Sequence, residues 1–366
     1  MDLLFMILQK AINYGATDIH LAPYCRPVYR VQRKLEYDES SFELSPEVLQ
    51  QILEYFYEQI PRLKSYFIEK KQVDFSYSYN EYRFRINVSL TKSVPSFSLR
   101  LIPNGEIDLS SIGIKDIVEK MRKINSGLVL VTGKVNSGKS TTLNAYLQEV
   151  NKESSKKIVT IEDPIEYEHV SNKSIIIQKE VGEQADVLSF QDALINLLRE
   201  DADIAIVGEI RNKETMNVAL DLAESGGLVL GTLHTRSCGE TIDRIINMYE
   251  PADQMAIKNS LSSVIKLVVS QKLLVGKNGG LVLVPEIMKV NSTIAAQIRQ
   301  EKFSISEIED TIHASRLSGS KSFEISLSEL YVKGLIDMKT IKECVEADKI
   351  ENIKSMIINA GGALID

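Results

Sequence analysis

Residues 133–142, Gly-Lys-Val-Asn-Ser-Gly-Lys-Ser-Thr-Thr, fit the spacing G-x-x-x-x-G-K-[ST]. Such a loop cradles phosphate oxygens with backbone N–H groups, neutralises them with its lysine and ligates Mg²⁺ through its hydroxyl. The cradle here is Gly133, Lys134, Val135, Asn136, Ser137 and Gly138; Lys139 is the cation, Ser140 the metal-directed hydroxyl, and Thr141 follows it. Phosphoryl transfer to water also needs carboxylates to orient the attacking water or hold the metal. Two stand where apolar runs end: Glu162, after Lys157 to Ile161, and Glu209, after Ile204 to Gly208. His234, in Gly231-Thr232-Leu233-His234-Thr235, is either a donor to a phosphate oxygen or an ordinary structural donor beside a strand. His20, His169 and His313 have no neighbours in sequence that suggest metal ligation.

These side chains need a frame. Leu128 to Thr132 reads as a buried strand. From Ser140 the chain reads as a helix, with Leu143, Leu147 and Val150 on one face and no Gly or Pro before Pro164. A helix starting there turns its orphan N–H groups toward an anion. Further strands are expected at 157–161, 204–207 and 228–232, alternating with helices. That alternation is the signature of an α/β fold with a parallel sheet covered on both faces, whose strand ends meet the phosphate site. Pro164 ends the second of these strands, and Asp163 can brace the turn. Asn tolerates a left-handed backbone better than other non-Gly residues, so Asn136 could take a left-handed turn within the loop.

Residues 1–102 read as a separate mixed domain: a helix from Leu3 to Tyr14, strand-like Asp18 to Leu21 and Pro27 to Val31, a helix from Pro46 to Glu58, then alternating strands. In Tyr82-Arg83-Phe84-Arg85-Ile86 the apolar residues share one face and the arginines the other; Ser98 and Arg100 alternate with Phe97, Leu99 and Leu101. Arg83, Arg85 and Arg100 thus belong to one sheet face, solvated or functional. Residues 103–112 are the expected linker, and 113–366 the second domain, with a helix-rich tail from about Thr293. In that tail Ile294 and Ile298 form an inward stripe, and Arg299 is expected to face a neighbour.

The chain has 366 residues and a net charge of −7, with 44% hydrophobic and 25% charged residues. An acidic balance argues against direct nucleic-acid binding, which needs basic faces to displace counterions. Cys25, Cys238 and Cys344 are far apart, without zinc or disulfide spacing, and are expected to be small buried hydrophobes in a reducing cytoplasm. The apolar run Leu3 to Leu8 is too short to span a bilayer and lacks the basic residue of a signal peptide.

In order along the chain, several segments resemble the type IV pilus retraction ATPases (PilT-like) of the secretion ATPase superfamily. They are Ala16-Thr17-Asp18-Ile19-His20-Leu21, Arg83-Phe84-Arg85, the Walker A loop, and Thr160-Ile161-Glu162-Asp163-Pro164-Ile165-Glu166. Beyond these lie Leu198-Arg199-Glu200-Asp201 with Ile204 to Arg211, Gly231 to Thr235, and Thr241-Ile242-Asp243-Arg244-Ile245. The resemblance implies an N-terminal PAS-like α+β domain, a RecA-like P-loop ATPase domain with a helical C-terminal region, ATP and Mg²⁺ as cofactors, and a homohexameric ring. It implies work in twitching motility, on the cytoplasmic side of the inner membrane, held there through a PilC-like platform protein. Lys139 and Ser140 would serve phosphate and Mg²⁺, Glu162 would be the general base and Glu209 the Mg²⁺-directed acid. Arg83, Arg85 and Arg100 would reach the phosphates from the N-terminal domain. Pilus-assembly and type II secretion ATPases share these motifs but usually carry extra N-terminal domains and a four-cysteine zinc insertion, which this chain lacks. A non-hydrolysing nucleotide-binding subunit is the other alternative. It is motivated by Lys134-Val135-Asn136 in place of the usual Pro, Thr and Gly, and by Gly227 where the family usually has a histidine.

Overall fold

The computed structural model describes residues 2–31, 34–102, 107–110, 112–182, 185–315 and 318–364. The chain divides into two compact units. The first comprises Met1–Gly105, Asp163–His169 and Glu180–Leu188; the second comprises Glu106–Glu162, Val170–Lys179 and Ser189–Asp366. The first unit is therefore discontinuous, whereas the sequence suggests a break near the 103–112 linker and one continuous domain after it. Residues 103–106 and 111 of that linker lie outside the described residues. Of the remainder, Ile107 and Leu109 pack on the second unit's core, and Ile107 N–H donates to Gln148 Oε1 at 2.9 Å.

The first unit carries α1 (Asp2–Tyr14), β1 (Asp18–Leu21), β2 (Val28–Val31), β3 (Lys34–Tyr37), α2 (Pro46–Gln59), α3 (Arg62–Lys70), β4 (Gln72–Tyr79), β5 (Tyr82–Thr91) and β6 (Val94–Ile102). Its strands form one antiparallel sheet in the order β3-β2-β1-β6-β5-β4. Ser45 starts α2 by accepting the Val48 N–H, with Pro46 pre-set for the first turn. One side of the sheet is core: Ile19, Phe84, Ile86, Val88, Phe97 and Leu99 pack with Leu4 and Leu8 of α1 and Leu49 and Phe56 of α2. Strand alternation then puts the arginines on the other side, and the register sets Arg85 directly opposite Arg100.

The second unit begins with α4 (Lys115–Arg122), β7 (Gly127–Gly133), α5 (Lys139–Glu153), β8 (Lys157–Glu162), β9 (Ile175–Glu180), α6 (Phe190–Leu197), β10 (Ile204–Val207), α7 (Lys213–Glu224), β11 (Leu228–Leu233) and α8 (Cys238–Ile246). It continues with α9 (Gln254–Val264), β12 (Ile265–Val275), β13 (Leu281–Lys289), α10 (Ser292–Ile298), α11 (Ile305–Ala314), α12 (Phe323–Val332), α13 (Met338–Cys344) and α14 (Ala347–Asn359). The sheet order is β13-β12-β7-β11-β10-β8-β9. The pairs β8–β10, β10–β11, β11–β7 and β7–β12 are parallel, and β13 is antiparallel to β12. Every residue of β7, β10 and β11 is buried, as strands covered on both faces require.

Strand β12 is absent from the sequence reading because α9 runs into it at Val264–Ile265 with no Gly or Pro between them. The helical tail is as expected, and Ile294 and Ile298 are buried. Arg299 is exposed and also donates to Ser262 Oγ on α9 at 3.0 Å. Of the cysteines, Cys238 is buried, Cys344 half-buried, and Cys25 exposed, against the expectation of three buried hydrophobes. Cys25 sits in the β1–β2 connection, where its main chain is tied to Ala22 and Leu44 while the thiol faces out. Among the described residues no helix is long and apolar enough to cross a membrane.

Candidate functional site

The phosphate loop joins β7 to α5. Asn136 has φ 62°, in the left-handed region anticipated for it. Gly133 and Gly138 have φ 147° and 88°. A Cβ on Gly133 would fall 2.4 Å from Ser137 Oγ and 2.5 Å from the Gln271 carbonyl, so only glycine closes the loop this tightly. Helices α6, α7 and α8 take side-chain caps from Ser189, Asn212 and Ser237. Helix α5 instead starts at Gly138 with no side-chain cap, leaving its first N–H groups to an anion. Ser137 Oγ is buried with no hydrogen-bond partner among the described residues. An orphaned hydroxyl beside an uncapped helix start suits phosphate oxygens. Lys134 and Val135 are exposed at the tip.

Lys139 is buried. Its Nζ donates to the Gly133 and Lys134 carbonyls at 3.0 and 3.1 Å and lies 3.4 Å from His234 Nδ1. His234 Nε2 is 3.3 Å from Glu209 Oε1, and Arg211 donates to Glu209 Oε2 at 2.8 Å. Partial burial would raise the Glu209 carboxyl, but the Arg211 guanidinium, helped by His234, outweighs it and holds the group below the usual carboxylate range. Glu162 is buried, accepting from Thr160 Oγ1 at 2.7 Å and from Gln178 Nε2 at 3.2 Å. Across the sheet the loop after β7, His234 after β11, Glu209 after β10 and Glu162 at the end of β8 follow strand order, all at the carboxyl ends of neighbouring parallel strands. The oxygen donors Ser140 and ionised Glu209 suit a hard divalent cation such as Mg²⁺.

Gly227 is remote from this site. It precedes β11, whose Leu228 pairs with Gly127 at the start of β7, and its carbonyl accepts the Gly127 N–H. The phosphate loop follows the other end of β7, a strand length of about 20 Å away at ~3.3 Å per residue. The missing histidine therefore does not open a gap at the phosphate end.

The arginines lie in the first unit. Arg85 is 3.9 Å from Asp74 and Arg100 is 3.0 Å from Asp18, both with substantial exposure. Arg83 is largely covered and binds two carboxylates, Glu168 and Glu180.

Two site-lining residues escaped the sequence reading. Gln271 Nε2 donates to Thr142 Oγ1 at 2.7 Å beneath the loop, while its Oε1 is buried without a partner among the described residues. Gln178 is the donor to Glu162. The signal for Gln271 was its polarity, with Ser270, directly after the apolar Leu267 to Val269 of β12. Gln178 had no local signal.

Residues 1–278 match the family model described as Type II/IV secretion system protein. The type IV pilus retraction ATPase PilT of Pseudomonas aeruginosa is 34% identical over 339 residues, covering 92% of this chain and 96% of that protein. A twitching motility protein of Neisseria gonorrhoeae is 36% identical over 318 residues, covering 86% of this chain and 82% of that protein. Among solved structures, the pilus retraction motor PilT with bound ADP superposes with a TM-score of 0.85 at 34% identity, covering 95% of this chain and 98% of that one.

Proposed function

The chain belongs to the family of type II/IV secretion system proteins, and on that premise we propose that it is a P-loop ATPase that powers type IV pilus retraction. The observation that carries the chemical reading is the row of phosphate loop, His234, Glu209 and Glu162 along the ends of adjacent strands. The retraction reading rests on the relatives.

In this reading the second unit is RecA-like and the first PAS-like, as 113–366 and 1–102 in the main. The main chain of 133–138 and the start of α5 bind the β- and γ-phosphates, and Lys139 leaves its carbonyl partners for them. Ser140 and Glu209 would hold Mg²⁺, which when bound would supply positive charge beside the phosphate oxygens. Glu162 takes the proton of the attacking water, with its carboxylate oriented by Thr160 and Gln178. His234, poised between Lys139 and Glu209, donates to the γ-phosphate. Arg85 and Arg100 supply guanidinium charge to the developing transition state. The working assembly is a homohexamer at the cytoplasmic face of the inner membrane, engaged with a PilC-like platform protein.

The test is phosphate release by the assembled protein with Mg²⁺ and ATP. Lys139→Ala is expected to abolish both binding and turnover, and Glu162→Gln to cut turnover while ATP still binds. An assembled wild type that binds ATP and never releases phosphate would overturn the reading.

A further inference from the structure

Three arginines share the polar face of the first unit's sheet, but they are not equivalent. Arg100 is exposed and Arg85 half-buried, each with one aspartate nearby. The Arg83 side chain is 18% exposed, and its two terminal nitrogens go to different carboxylates: Nη1 to Glu168 Oε1 and Nη2 to Glu180 Oε2 at 3.1 Å. These carboxylates come from the two late segments that the first unit takes in, Asp163–His169 and Glu180–Leu188. Glu180 is the hub. It also accepts from Ser76 Oγ on β4 at 3.2 Å and from the Ile165 N–H at 3.3 Å. Ser78, paired with Arg83 in the sheet, reaches Glu168 Oε1 at 3.4 Å. The forked guanidinium suits this task, since it can meet two carboxylates at once in a fixed plane.

The two segments are continuous in the chain with the groups at the reacting end of the second unit. Glu162 is one peptide bond before Asp163, and Gln178, the donor to Glu162, is two residues before Glu180. A tether on Glu168 and Glu180 therefore restrains the chain on both sides of the Glu162–Gln178 hydrogen bond. We propose that Arg83 is a positioning residue, which clamps Glu168 and Glu180 and thereby holds Glu162 in its working orientation rather than contacting phosphate. This rests on the reading of Glu162 as the base on water.

The test compares Arg83→Ala, Arg83→Lys and Glu180→Gln, with kcat and KM for ATP and with amide hydrogen exchange of residues 163–169. A displaced base costs rate, not affinity, so Arg83→Ala is expected to lower kcat by about 100-fold at unchanged KM. Arg83→Lys, keeping the charge but not the fork, should recover part of that loss, and Glu180→Gln should lose rate like Arg83→Ala. Residues 163–169 should lose exchange protection in Arg83→Ala while β7 and α5 keep theirs. The double variant Arg83→Ala with Glu162→Gln should turn over no more slowly than Glu162→Gln alone, because both act through one group. A raised KM, or a loss multiplying that of Glu162→Gln, would mean that Arg83 touches the nucleotide and would overturn the proposal. Unchanged kcat or unchanged exchange would overturn it too. If Arg83→Ala fails to fold, Arg83→Lys and Glu180→Gln decide by the same readings. A wild type without turnover sinks the ATPase reading and the catalytic half of this one, whereas the exchange result still decides whether the clamp exists.

Discussion

The phosphate loop of the second unit and the arginine face of the first are built on opposite principles. In the proposed reading the loop binds mainly through its main chain: what it requires is a conformation, and Asn136 has φ 62°, which glycine would otherwise supply. The arginine face presents side chains, and in the proposed reading what it requires is the identity of each group. Two guanidiniums are accessible there and a third is committed to Glu168 and Glu180. A conformational requirement tolerates changes of residue type that respect φ, and Asn136 at φ 62° respects it. A chemical requirement tolerates almost none.

The largest effect should come from the side-chain region. Arg85→Ala combined with Arg100→Ala is expected to leave unfolding stability within about 0.5 kcal/mol, as for most exposed substitutions. If both guanidiniums meet the transition state, turnover should fall on the order of 10³-fold. Calorimetry and phosphate release on the same preparation measure both, and an unchanged rate would reduce that face to a solvated surface.

A second effect concerns a side chain buried inside the second unit. Glu286 on β13 accepts the Cys238 N–H at the start of α8 at 2.5 Å, and burial pushes its carboxyl up to about 7. Its folded value lies above its unfolded one, so the native state binds the extra proton between about pH 4.5 and 7. Ionisation then removes stability as pH rises through that window. Glu286→Gln keeps an acceptor for the N–H and removes the charge. Relative to wild type it should gain as pH rises from 5 to 8, by up to roughly 3 kcal/mol, read by urea unfolding at both values. A pH-independent difference would break the link between this carboxyl and the fold.

The smallest effect should separate conformation from chemistry in the loop. Asn136→Gly should keep ATP affinity. Asn136→Val forces a β-branched residue into left-handed backbone at about 1–2 kcal/mol, and should weaken binding by roughly tenfold. Equal affinities for all three would mean that bound nucleotide remodels the loop and that its resting φ is not the requirement.

Much of this protein was legible in residue order alone. The phosphate-loop spacing, the strand before it and the helix after it were readable from short-range residue order. The alternation placing Arg83 and Arg85 opposite Phe84 and Ile86 follows from the two-residue period of a strand. Glu162 and Glu209 stood out because each ends or follows a largely apolar strand run. Tertiary structure alone decided that Gly227 lies at the far end of the sheet, that Gln271 supports Thr142 and Gln178 supports Glu162, and that Asp163–His169 and Glu180–Leu188 join the first unit. It also separated three similar arginines: two have one aspartate each, while Arg83 is paired with two carboxylates. Those outcomes depend on strand order and on partners tens to more than a hundred residues apart. Local periodicity fixes which face a residue takes; only the packing of distant segments fixes what that face meets.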